Sequence, residues 1–240
     1  MIRDKLHELM WKIVFFFFLI LLSLMGVYFV LFRTELFVIK NISCKTQFGS
    51  CEEADEELLE KFKDERFFGL DTQRVEEKLL GHFKNRRVSV YKVIPSSLEI
   101  FIDKRAGRVG LKNGWPGASE EGYWLTDLEG TVLAKSETSA LPLMYVGDLR
   151  LDLGENLEPK NVRALRLLYK TYQVVSTDWG VLGEDLLTVS LEEGVIVKYS
   201  LGKDVDTSIG SLQLVLSEAR MNDKIPKEID LRFRNAVLRY

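Results

Sequence analysis

Residues 13–32 read IVFFFFLILLSLMGVYFVLF, twenty positions without a charge. A helix rises 1.5 Å per residue, so a run of this length reaches about 30 Å, the thickness of a bilayer's hydrocarbon core. The run is apolar on every face, unlike the helix of a soluble domain. A cleaved signal peptide is the rival reading. Its apolar region spans roughly 7–15 residues and ends in a small-x-small site. Here Tyr28-Phe29-Val30-Leu31-Phe32-Arg33 offers no such site. The sequence is therefore expected to cross a plasma membrane once, with 1–12 as a cytoplasmic tail, 13–32 as the span and the bulk extracytoplasmic. Basic residues are nearly balanced around the run: Arg3, Lys5 and Lys12 precede it, and Arg33, Lys40 and Lys45 follow. The orientation rests instead on the short leading segment and on the ease with which a large following domain translocates.

Residues 1–32 carry a net charge of +1, and the remaining 208 carry −4 of the total −3. A binder that neutralises phosphates needs a basic surplus, so no nucleic-acid partner is expected. With 46% hydrophobic residues and five prolines, the outer part has material for one large folded domain or two small ones.

Both cysteines, Cys44 and Cys51, lie beyond the apolar run and seven positions apart. In an oxidising compartment they could close a small loop; two small buried thiols are the other reading. A zinc site is not expected, because His82 is the sole histidine outside the membrane and tail, and no further ligand sits at a useful spacing.

Working outward from the span, residues 37–43 have the composition of a strand. Ser50 and Glu53 form a capping box. It opens a helix with Ala54, Leu58, Leu59 and Phe62 on one face. Asp71 caps a second helix, with Leu70 and Val75 as a hydrophobic staple and Val75, Leu79, Leu80 and Phe83 buried. Val88 and Val90, then Leu98, Ile100 and Ile102, alternate as strands around a turn at Pro95-Ser96. The order is β-α-α-β-β, two layers over about 70 residues. A glycine-rich stretch, 106–122, is expected to be the linker to a larger mixed α+β domain over 123–240. There Asp127-Leu128-Glu129-Gly130 joins a hairpin, and Pro159 opens a helix with Val162, Leu165, Leu168, Tyr169 and Tyr172 as its stripe. Glu192-Glu193-Gly194 joins a second hairpin. Asp206 caps a last helix with Ile209, Leu212, Leu216 and Ala219 inward. Residues 229–233, IDLRF, alternate strictly and read as a terminal strand.

No catalytic constellation assembles. His82 lies beside Phe83 on a helix and fits a domain surface better than a catalytic base. Ser43 and Lys45 share one side of a strand, the minimum for a Ser-Lys peptidase, but nothing else supports one. Glu52-Glu53 and Glu192-Glu193 fit a helix start and an exposed turn. No phosphate-binding glycine loop occurs. A non-enzyme without cofactor, metal or small-molecule substrate is expected. What remains is an open sheet edge at the end of the chain, a template for strand addition. Arg232, Arg234 and Arg239 stand near it, either to pair with an acidic partner segment or to keep the edge soluble.

The order of these features resembles the FtsQ/DivIB cell-division proteins: a short tail, one span, a membrane-proximal POTRA domain and a larger β domain. Residues 37–42 look like the family's opening strand, 67–71 (FFGLD) like the step into its second helix, and 94–100 (IPSSLEI) like its third strand. Residues 124–133 (WLTDLEGTVL) with Leu141-Pro142, Leu201-Gly202 and above all 229–233 (IDLRF) are similar to its β domain. The chain departs at Lys104-Arg105-Ala106-Gly107, where the family has an acidic-Arg-x-Pro stretch, and it stops at Tyr240 without the tail of some members. The resemblance implies POTRA at 37–105 and a non-enzymatic scaffold of the divisome at the division septum. The POTRA domain would meet other divisome proteins. The end of the β domain would bind small bitopic coiled-coil partners of the FtsB/FtsL type. Carried over, the binding edge is Arg232, Phe233, Asn235, Ala236 and Val237. Phe233 also alternates in phase with Ile229 and Leu231, so a core position stays open for it. A POTRA-bearing component of a secretion or surface-assembly system is the alternative class, with a membrane-anchored peptidase behind it.

Overall fold

The computed structural model describes residues 2–33, 35–117, 122–138, 140–147 and 150–240; within the first segment it describes the side chains of 11 and 13–30. The charged side chains at 3, 4, 5, 8 and 12, and residues 118–121 of the expected linker, lie outside the described residues. The fold is mixed α+β, with five α-helices and two sheets among the described residues. It divides into a unit of Met1–Lys104 and a unit of Arg105–Tyr240.

The first unit opens with α1 (Ile2–Arg33), one helix that takes in the expected tail as well as the apolar run. Its stretch Ile13–Val30 is long and apolar enough to cross a membrane and is wholly unburied. A 3-10 turn, Glu35–Phe37, follows. Strand β1 (Asn41–Thr46) starts later than expected, because Val38 and Ile39 are taken by the loop after the next helix. Val38 bridges Arg66, and the Ile39 N–H donates to the Glu65 carbonyl at 3.0 Å. Then come β2 (Gly49–Ser50), α2 (Glu53–Glu60), α3 (Thr72–Leu80), β3 (Asn85–Val93) and β4 (Ser97–Lys104). The sheet order is β2-β1-β4-β3, with β1 parallel to β4 and β3 antiparallel to it. The alternation of Leu98, Ile100 and Ile102 buries one side of β4 against Leu59, Phe62, Val75 and Leu79.

Cys44 and Cys51 are joined as a disulfide with Cα atoms 5.6 Å apart. That bond and the pairing of Ser50 with Lys45 place Ser50 in a strand, so the expected capping box does not form. Glu52 is the N-cap and makes no side-chain cap bond. Asp71 caps α3 as expected, accepting from the Gln73 N–H at 3.0 Å. On α2 the inward position is Asp55, not Ala54, which is exposed. Asp55 is fully buried. It accepts a hydrogen bond from Asn85 Nδ2 at 3.0 Å and pairs with the Lys104 ammonium. Asn85 also donates to the Leu79 carbonyl at 2.7 Å, and Gln47 clamps the Lys104 backbone through both its N–H and its C=O. One carboxylate thus ties α2, the end of α3, the start of β3 and the end of β4. Leu80, expected inside, is exposed.

In the second unit part of the expected linker, 106–122, proves to be a strand. Residues 109–113 form β5 (Val109–Asn113), paired with β6 (Tyr123–Thr126) and parallel to β8 (Leu143–Val146). β7 is Val132–Ser136. Then follow α4 (Pro159–Val174), β9 (Thr177–Leu182), β10 (Leu186–Leu191), β11 (Ile196–Ser200), α5 (Val205–Met221), β12 (Glu228–Asp230) and β13 (Val237–Arg239). The nine strands lie in the order β13-β12-β11-β10-β9-β8-β5-β6-β7. Pro159 stands in the first turn of α4, as expected. Thr171 takes the inward place expected of Tyr172, and its hydroxyl shares a 2.8 Å hydrogen bond with the buried Tyr199 hydroxyl of β11. The cap of α5 is Asp204, which accepts from the Thr207 N–H at 2.9 Å; Asp206, the expected cap, sits in the first turn and pairs with Lys170. The β6–β7 turn is set by Asp127, which accepts from the N–H groups of Glu129 and Thr131 at 3.1 and 2.7 Å and pairs with Arg105. Gly130 has φ +92°, and a Cβ there would stand 2.4 Å from Val162 Cγ2 on α4.

Two substitutions test these anchors. Asp55→Ala leaves the buried Lys104 ammonium with the half-exposed Glu52 carboxylate as its remaining partner and should cost about 3 kcal/mol, whereas the pair Asp55→Leu with Lys104→Met should fold with nearly wild-type stability. Hydrogen exchange at β3 and β4 in the full chain reads both. Gly130→Ala should lower the melting temperature of the second unit, by about 1–3 kcal/mol of stability, through overpacking and the positive φ.

Candidate functional site

The expected terminal strand does not run through 229–233. β12 ends at Asp230, and it is not an edge, because β11 flanks it on one side and β13 on the other. The chain reverses over 231–236. β13 then lies antiparallel on β12, with Asp230 opposite Val237, Ile229 opposite Leu238 and Glu228 opposite Arg239.

Two interactions turn the chain. Arg232 folds back on Asp230: Nη2 donates to Oδ2 at 2.7 Å, Nε to Oδ1 at 3.0 Å, and the Arg232 N–H to Oδ1 at 3.1 Å. Lys203, just before α5, donates to the carbonyls of Leu231 (2.8 Å) and Phe233. Leu231 stays buried, its N–H bonded to the Lys198 carbonyl at 2.8 Å. The residues after it leave the ladder. The guanidinium of Arg232 hydrogen-bonds the Asp230 carboxylate and holds that carboxyl below its ordinary range. The same carboxylate raises Arg232.

The expected site residues are therefore divided. Phe233 is 56% exposed, which overturns a core position for it, and the Arg232 guanidinium carbon stands 5.6 Å from its ring centre. Arg232 is committed to Asp230 rather than free to greet a partner. Asn235 is exposed, Ala236 is half-buried against the core, and Val237 is 43% exposed on β13. Reading along the sequence placed Arg239 near the edge but missed β13 itself, and with it Leu238 and Tyr240. The signal was there in the alternation of Val237-Leu238-Arg239 after Asn235. The Arg239 carbonyl accepts from the Lys227 N–H at 2.7 Å. Strand residues alternate the side to which their backbone groups point, so Leu238 turns its N–H and C=O to the open side. Arg239 reaches Glu228 at 3.4 Å, and Lys224 stands 4.4 Å from the Tyr240 ring centre. Lys203 and Lys224 flank the two ends of α5, the first bonded to the turn after β12 and the second beside Tyr240; Leu214 and Met221 of that helix are exposed.

The other candidates fare as follows. Ser43 and Lys45 are both exposed on one side of β1, whereas a nucleophile-activating lysine works desolvated. His82 is half-buried and stacks on Phe83 with ring centres 5.3 Å apart. Glu52 pairs with Lys84 and Lys104, and Glu192-Glu193 form the exposed β10–β11 turn. Among the described residues no three His, Cys, Asp or Glu side chains converge as a metal site. No family model matches the chain, and neither does any curated protein.

The Asp230–Arg232 pair has a signed pH dependence. A carboxyl lowered in the folded state stabilises fully above its ordinary pKa of 3.8 and loses that contribution as pH falls through the lower folded value. Unfolding followed from pH 7 down to pH 2 should therefore show the wild type losing more stability at the acid end than Asp230→Asn, which has no carboxyl to protonate.

Proposed function

We propose that this protein is a membrane-anchored, non-enzymatic scaffold of the FtsQ/DivIB type, residues 37–105 its POTRA domain, and that the end of its second unit binds partners of the bacterial division machinery. α1 is read as a single span that keeps the short N-terminus in the cytoplasm and both folded units outside, at the division septum. The observation that carries the reading is the placement of the last strand. β13 is the outermost strand of a nine-stranded sheet. It is bordered by exposed Phe233, Val237 and Tyr240.

The mechanism is strand addition. An extended segment of a small bitopic partner pairs with the outward backbone groups of β13, and Phe233 serves as an aromatic anchor beside the strand. Arg232 is a positioning residue here: it fixes the turn that presents Phe233. Arg239 and Lys224 supply positive charge along the edge for acidic side chains on the incoming segment. The exposed face of α5 gives the partner a second surface. Further divisome proteins meet the POTRA unit.

Co-purification of the full-length protein tests this. Phe233→Asp and Tyr240→Ser lie at exposed positions, so both should melt like wild type, within about 0.5 kcal/mol. Each should lower the recovery of small bitopic coiled-coil proteins more than tenfold, a loss of about 1.4 kcal/mol or more. Equal recovery by wild type and both variants removes the edge from the reading. Recovery of export components in their place favours a secretion role.

A further inference from the structure

The first unit is polarised. β1 and β4 are parallel, with Asn41 opposite Ser97 and Thr46 opposite Ile102. The chain therefore enters the sheet at the end where the β3–β4 turn, 94–96, also lies; the Lys40 N–H donates to the Ser96 carbonyl at 2.9 Å. The loop after α2 comes to the same end. The Phe67 N–H donates to the Phe37 carbonyl at 2.8 Å, and the rings of Phe37 and Phe68 stand 4.9 Å apart. Lys92, near the end of β3, donates to the Leu70 carbonyl at 2.5 Å. Three separate segments thus bring large apolar side chains to this one end. Leu36 is 61% exposed, Phe68 45% and Ile94 71%.

We infer that this end of the first unit is a lipid-facing surface that seats in the headgroup region of the bilayer crossed by α1. The occupant follows from the tether. α1 ends at Arg33, so Leu36, three residues on, stands within about 10 Å of the helix end, and the buried Ile39 within about 20 Å. The headgroup zone itself extends about 5–7 Å beyond the hydrocarbon core on each side. An apolar cluster held this close meets the acyl–headgroup boundary before it meets any soluble partner. Exposed Lys40 and Arg66 flank it, and the long stems of such side chains reach past apolar surface to phosphates. Glu35 and Asp64 stand at the same end and offset their charge, so burial of Leu36, Phe68 and Ile94 carries the contact rather than attraction to anionic lipid. The surface holds in a zwitterionic bilayer and at high salt.

This inference rests on the reading of α1 as a span, and the experiment separates the two. Full-length protein, its Cys44–Cys51 bond intact, is placed in phosphatidylcholine nanodiscs. Single spin labels go on Leu36→Cys, Phe68→Cys and Ile94→Cys. Arg87→Cys, at the opposite end of β3, and Ser23→Cys, within α1, are the references. All variants are first checked to melt like wild type. Power saturation with oxygen and a water-soluble nickel chelate then reads depth. The expected result is a several-fold higher oxygen-to-nickel collision ratio at 36, 68 and 94 than at 87, unchanged in high salt, with 23 the deepest. Lipid contact at 36 alone, with 68 and 94 reading like 87, overturns the inference, because the tether brings 36 near the membrane in any case. Loss of contact at 68 and 94 in high salt overturns it too. If 23 reads as aqueous, the span reading falls and takes this inference with it.

Discussion

The parallel pairing of β1 with β4 is the constraint from which the first unit takes its form. Parallel neighbours need a long crossover, and here α2, α3 and β3 supply it. The pairing also fixes a direction: the chain enters at one end of the sheet and leaves at the other, at Lys104. That exit is where the buried charge sits. An ion pair removed from water is at best a modest stabiliser, and its hydrogen bonds must all be met for it to break even. Both oxygens of Asp55 are met, one by Asn85 Nδ2 and the other by Lys104 Nζ, and Lys104 has Glu52 as a second carboxylate at 3.4 Å, while Asn85 Oδ1 is left buried without a hydrogen bond. What the network specifies is register. A slip of one residue in β4 flips its side chains to the other face, so Lys104 would leave the buried side together with Leu98, Ile100 and Ile102, and Asp55 would lose its ammonium. The exit strand of the unit is thus held in one register by the same pair that fills its buried end.

The second unit handles its final strand by a local device. An arginine two residues after a carboxylate shares its face of a strand and reaches it without any bend; the bend comes with the third bond, from the Arg232 N–H to Asp230 Oδ1, which closes an Asx-type turn that the two guanidinium bonds then hold. Lys203 takes up the carbonyls that the broken ladder releases. The result converts a plain continuation of β12 into a hairpin-like return, moves the sheet's free edge outward by one strand and turns Phe233 to solvent.

The features legible along the chain were those with a strong local cause. The apolar run, the Asp71 cap, the alternation of 98–102 and the Asp127–Gly130 turn each depend on residues a few positions apart. The errors arose where a distant partner outweighed the local pattern. Ser50 has the chemistry of an N-cap, but the disulfide and its pairing with Lys45 hold it in a strand. Ala54 suits an inward helix position better than Asp55 does, until Lys104, 49 residues away, makes the carboxylate the better fit. Glycine-rich 106–122 reads as a linker because nothing nearby reveals that β6 and β8 await its residues 109–113 on either side. At the candidate site, IDLRF alternates so cleanly that the ion pair within it went unread. The stretch that carried the resemblance was also the one whose strand reading failed, since side-chain alternation does not show where a strand stops.

The short length of β13 bears on the strand addition proposed for it. Its three residues offer an incoming strand only a few outward backbone groups. Each hydrogen bond made in exchange for one to water contributes about 0.5–1.5 kcal/mol net. Association itself costs about 4–15 kcal/mol in lost freedom before any contact is made. Strand addition alone therefore falls short of a stable complex, and most of the affinity must come from apolar burial around the strand. Phe233, Val237 and Tyr240 beside the edge, with Leu214 and Met221 on α5, are the exposed groups able to provide it. The partner best matched to this edge presents an extended segment and an apolar helical face together. In that pairing the strand sets the register and the side chains supply the affinity.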